Sequence, residues 1–106
     1  MGVSLDRDRF VAAMQTQAEI GGTDDGGLHR LALTDEDRRV RDWFREQMEA
    51  VGLETRVDEF GNMFGRREGT DPNAGTVLVG SHLDSQPYGG RYDGQLGVLT
   101  ALETLR

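Results

Sequence analysis

A chain of 106 residues has room for one domain and not for two. Its 36% hydrophobic content implies a modest core, and its net charge of −7 argues against a nucleic-acid partner, which needs a basic face. With no cysteine, disulfides and thiolate metal sites are excluded, so any bound metal must be held by nitrogen and oxygen donors.

The N-terminal stretch MGVSLDRDRF mixes charges of both signs and has no apolar signal region. No run approaches the roughly 20 apolar residues of a membrane span. The expectation is a cytoplasmic protein that does not engage a membrane. Residues 5–20 predict a first helix, with Ser4 as its cap and Phe10, Val11, Met14 and Ile20 on one stripe. Gly21-Gly22 ends it, and GGTDDGGLHR reads as a loop in which His29 and the Asp24-Asp25 pair are solvated. A second helix starts at Thr34, with Asp37 three residues on and acidic residues in its first turn. Val40, Trp43, Phe44, Met48 and Val51 recur at helical spacing as core positions, and Gly52 supplies the stop.

The period then changes. LETRVDEF (53–60) alternates, Phe60-Gly61-Asn62 is turn chemistry, and NMFGRRE (62–68) returns, so the pair predicts a hairpin. GTDPNAG is a loop. TVLVGS (76–81) is a near-continuous apolar run, the signature of a strand buried on both faces. Leu96, Val98, Leu99, Ala101, Leu102 and Leu105 mark a last helix beginning near Gly94, with Glu103 on its solvated side. The order is helix, helix, strand, strand, strand, helix, an α/β arrangement. A strand such as 76–81 wants partners on both edges, which this order does not supply, and Arg106 falls inside the last helical pattern. The expectation is that residues 1–106 form the front of a larger domain.

The stretch 80–94, GSHLDSQPYGGRYDG, lies where the apolar run meets the last helix, a place where ligands gather in α/β folds. His82 offers an imidazole nitrogen. Asp84, two residues on, shares its direction if the backbone is extended, and can either ligate a metal or accept the imidazole's other N–H. Asp93 follows Gly89-Gly90, whose missing side chains allow a tight fold-back, and a carboxylate there can bridge two metal ions. Each residue also has a plain alternative. A loop histidine is ordinarily a surface residue, Asp93 can cap the helix, Gly89-Gly90 can be a simple turn, and Arg91 reads as an exposed loop arginine.

GSHLDSQPYGGRYDGQLGVL resembles the signature of the metal-dependent amidases of the hydantoinase/carbamoylase family, within the aminoacylase/carboxypeptidase group of two-metal hydrolases. IGGTDDGGLHRLALTDEDRRVRDWF and GLETRVDEFGNMFGRREG resemble that family's N-terminal stretch and hairpin, so the likeness covers nearly the whole chain. The resemblance implies that His82 ligates one ion, that Asp93 bridges two, and that Asp84 orients His82 as part of the catalytic apparatus. Gly89, Gly90 and Gly94 would shape the loop. It implies zinc or manganese as the divalent metal, with cobalt or nickel as alternatives. It also implies a small ureido or amide substrate, a homodimer, and a metal-held hydroxide attacking the scissile carbon with a glutamate as general base. Departures from the pattern are plain: the family's later glutamate pair, its further histidines and its lid or dimerisation domain have no counterpart here. His82 and Asp93 leave even one zinc short of four ligands. The expectation is therefore an N-terminal part of a carbamoylase-type catalytic domain without turnover of its own. An aminopeptidase or deacylase of the wider group, or a non-catalytic remnant or docking partner, is the alternative.

Overall fold

The computed structural model describes residues 2–106, which form three helices and a two-stranded antiparallel sheet. Helix α1 spans Arg7–Glu19. Its cap is Asp6, not Ser4: the Asp6 carboxylate accepts from the Arg9 amide at 3.0 Å, the spacing a cap bond requires. Met14, Gln17 and Ala18 are its buried residues, and Val11 lies off the stripe predicted for it, 40% exposed.

Helix α2 spans Asp35–Ala50 and is sharply defined at both ends. The Thr34 hydroxyl accepts from the Asp37 amide, while the Asp37 carboxylate reaches back to the Leu33 amide. At the other end Gly52 takes φ +84°. Its amide donates to the Glu49 carbonyl at 3.0 Å and the Leu53 amide to Met48 at 3.1 Å, the paired bonds of a Schellman cap.

Strands β1 (Glu54–Val57) and β2 (Met63–Arg66) pair with Thr55 opposite Gly65. In the turn, Asp58 accepts from the amides of Phe60 and Asn62 and from the Asn62 side chain. The hydrogen bond from the Asn62 side chain leads in holding the Asp58 carboxyl below its ordinary value. A side chain at Gly65 would overlap the Met48 sulfur, so the missing Cβ is what lets the hairpin lie against α2.

Helix α3 spans Gln95–Leu105 and closes the core from the C-terminal side. Met14, Met48, Leu53, Leu99 and Leu102 form one buried cluster; Val40, Leu83 and Val98 form a second, and Trp43, Phe44 and Met63 pack against both. Each such aliphatic side chain contributes roughly 1.5–3 kcal/mol by burial. Leu96, expected on the same stripe, is 46% exposed.

Glu103 corrects the expectation of a solvated face. It is 3% exposed, and its carboxylate accepts from Arg9 Nη2 at 2.6 Å, Arg9 Nε at 3.1 Å and the Asp6 amide at 3.0 Å. This forked pair ties the start of α1 to the end of α3. Residues 76–81 correct the expectation of a third strand. They adopt no regular structure, pair with no strand among the described residues, and leave Val77, Leu78 and Val79 exposed. The reason is topological: β1 and β2 pair with one another, and among the described residues no other strand flanks the apolar run. The α/β class stands, with one hairpin in place of a three-stranded set.

Candidate metal centre

The segment after the apolar run turns back against the start of α3. Ser81 lies close enough that a side chain at Gly97 would meet its Cβ at 2.9 Å. Gly94 caps α3 with φ +101° and no side-chain cap bond, so Asp93 is not the helix cap. A methyl group at Gly94 would overlap the His82 imidazole and crowd the His82 carbonyl. Both the backbone angle and the ring's approach therefore require glycine there.

The structure brings the three predicted donors together. His82 Nδ1 lies 3.2 Å from an Asp84 carboxylate oxygen and 3.1 Å from the Asp84 carbonyl. The tautomer protonated on Nδ1 donates to Asp84, which leaves the Nε2 lone pair available. Nε2 lies 3.9 Å from the Asp93 carboxylate, within the span of two metal–ligand bonds of about 2.1 Å each. His82, Asp84 and Asp93, with Ser85, Gly89 and Gly90, line an open depression. The residues present suit one N/O-ligated ion from one side. Among the described residues no group of three or more His, Cys, Asp or Glu side chains is arranged to hold a metal. The donor set fits a divalent ion but does not close around it.

The loop glycines divide in their demands. Gly89 exchanges two main-chain hydrogen bonds with Leu28, each 2.8 Å, and its carbonyl would sit 2.5 Å from a Cβ at Gly27. Gly90 has open space where a side chain would stand and no left-handed φ, so the steric reason expected for it does not apply. Arg91 is not a free loop arginine, since its Nε donates to the Gly26 carbonyl at 2.7 Å. His29 is exposed and stacks at 5.0 Å on Tyr88, which itself takes φ +54°. The Asp25 carboxylate accepts from Thr23 and the Gly27 amide, and the Thr23 hydrogen bond leads in lowering its pKa. That is a turn rather than a cation site.

Two residues that sequence spacing does not single out stand behind the site. Arg30 and Gln95 are fully buried, and Gln95 Nε2 donates to the carbonyls of Leu83 and Asp84 at 3.0 and 3.1 Å. Burial pushes the Arg30 guanidinium down to about 10, with Asp37 and Asp84 acting the other way, so it remains charged at neutral pH. An arginine in a polar glycine-rich loop carries no signal of burial, which is why neither periodicity nor motif finds it.

An imidazole backed by one carboxylate and facing another, at the entry to a helix of an α/β chain, is an arrangement found in hydrolytic metal centres. Relatives of the chain are named as amidohydrolases. It is 46% identical over 102 residues to the N-carbamoyl-L-amino-acid amidohydrolase of Rhizobium meliloti, covering 96% of this chain and 24% of that protein. It is 42% identical over 89 residues to the allantoate amidohydrolase of Bacillus subtilis, covering 84% of this chain and 22% of that one. A hydantoinase/carbamoylase family amidase from Burkholderia ambifaria superposes with a TM-score of 0.94 at 48% identity, covering 100% of this chain and 26% of its own. No family model matches the chain. In sequence and fold the chain is thus similar to about a quarter of the length of a hydantoinase/carbamoylase family amidase. Among the described residues, no helix is long and apolar enough to cross a membrane.

Proposed function

We propose that residues 1–106 are the N-terminal part of the catalytic domain of a metal-dependent amidohydrolase acting on N-carbamoyl-L-amino acids or related ureido acids such as allantoate. The observation that carries this reading is the meeting of His82, Asp84 and Asp93 beside Gly94 in a chain whose relatives bear those activities in their names. His82 Nε2 and the Asp93 carboxylate would hold the metal. Asp84 fixes the ring and its tautomer. When bound, zinc or manganese supplies Lewis acidity and an acidified water for attack on the ureido carbon. This chain's own contribution is to hold the imidazole proton on Nδ1 and present Nε2.

The chain alone does not turn over substrate. It offers a single histidine and one carboxylate to the metal, and among the described residues no glutamate lines the depression, so a general-base glutamate would come from elsewhere. The rest of the fold also supplies the strands that flank 76–81. By the pattern of the family, the assembled enzyme is a homodimer.

Titration calorimetry of the purified chain with zinc or manganese tests the ligand assignment. The expected result is weak binding that His82→Ala weakens by about tenfold or more. Equal binding by both proteins would remove His82 from the site, and metal-dependent hydrolysis of an N-carbamoyl amino acid by the chain alone would overturn its incompleteness.

A further inference from the structure

The segment bearing His82 and Asp84 belongs to no strand, yet Leu83 and Ser85 within it are buried. Leu83 packs its side chain with Val40 and Val98, and Arg30 holds the main chain around it. Its Nε donates to the Leu83 carbonyl at 3.0 Å, its main-chain amide donates to Ser85 Oγ at 2.9 Å, and its carbonyl accepts from the Ser85 amide at 2.7 Å. The rest of the same guanidinium is fixed on α1. Nη1 donates to the carbonyls of Gln17 and Ile20, both at 2.7 Å, and Nη2 to Gln17 Oε1 at 2.8 Å. Those two carbonyls lie at the end of α1, where the Gln17 carbonyl also accepts from the Ile20 amide at 3.2 Å. From the opposite side Gln95 reaches the same Leu83 carbonyl, so one main-chain oxygen receives two buried donors from separate elements.

We infer that Arg30 is the positioning residue of the His82–Asp84 pair: its planar fork ties the Leu83 carbonyl, and its main chain ties Ser85, to the end of α1 and so sets where the His82 ring and the Asp84 carboxylate meet. The rigid five-donor guanidinium is what the task needs. A lysine keeps the charge but cannot reach Leu83, Gln17 and Ile20 from one plane. Arg30 touches neither metal nor substrate and acts only through the segment it holds.

The inference rests on the proposed metal site for its affinity readout, while the placement of the segment is measured without metal. In the 106-residue chain carrying Arg30→Lys, amide hydrogen exchange is expected to quicken about tenfold at Ser85, with Val40 and Leu99 changing by less than about twofold. Zinc binding by the same variant is expected to weaken about fivefold or more. An unchanged Ser85 amide, or a uniform quickening through α2 and α3, would overturn the inference, the latter marking a general structural role. Equal zinc binding by the unsubstituted chain and His82→Ala would sink the metal reading alone, and exchange at Ser85 would still decide the role of Arg30. Should Arg30→Lys fail to fold, Ser85→Ala removes one contact and keeps the guanidinium. It is expected to quicken exchange of the Arg30 amide about tenfold and to weaken zinc binding about threefold. No change in either would refute the inference.

Discussion

The helical body and the segment from 69 to 93 are held by different means. In the body, α1, α2, the hairpin and α3 meet through interlocked side chains, with Met14, Met48, Leu53, Leu99 and Leu102 at the centre. In the segment only Leu83 and Ser85 are buried; Leu83 packs with Val40 and Val98, and the other attachments are hydrogen bonds to Arg30, Gln95, Leu28, Gly26 and Gln17. The body's order comes from apolar packing, whereas the candidate site is placed by a few directional polar contacts. Packing tolerates small shifts by repacking, but a hydrogen bond is lost within a fraction of an ångström.

Three substitutions sharpen this contrast. The largest effect is expected in the body: Leu99→Ala should cost about 2–5 kcal/mol, read as a lower denaturant midpoint with an unchanged slope. A loss below 1 kcal/mol would mean that the core does not carry the fold. A smaller effect is expected from the Arg9–Glu103 tie and depends on pH. The hydrogen bond from Arg9 leads in holding the Glu103 carboxyl below its ordinary 4.5, against the opposing effect of burial. A carboxyl whose pKa falls on folding stabilises fully above its unfolded value and progressively less as pH drops through the folded one. Thermal melts should therefore show stability falling below about pH 4.5, and Glu103→Gln should flatten that part of the profile. An identical acid limb in the variant would remove Glu103 from the account. The smallest effect belongs to the segment: Val77→Ser should change stability by no more than about 0.5 kcal/mol, because the residue is 90% exposed. A larger loss would reveal contacts made by the run in solution, such as self-association at higher protein concentration.

What the sequence makes legible follows the same division. Helix α2 can be read from Thr34 to Gly52 because period, capping box and stop all agree over one continuous stretch. The hairpin is legible from its alternation and its Gly-Asn turn, and the meeting of His82, Asp84 and Asp93 from their spacing around the glycines. The run 76–81 is apolar yet forms no strand and stays exposed, because apolarity does not supply neighbours. Arg9 and Glu103 find each other across almost the whole chain, and Arg30 reaches Leu83 across half of it. Burial of a charge is decided by such distant partners, so local pattern assigns these residues to solvent.

The pair of main-chain hydrogen bonds between Leu28 and Gly89 has a consequence in time. It joins residues separated by more than half of the chain, whereas α2 and the hairpin are built from near neighbours. Closing so long a loop costs entropy before the contact returns any energy, so pairings of this kind form late in folding. The depression that gathers the candidate ligands consequently assembles after α2 and the hairpin.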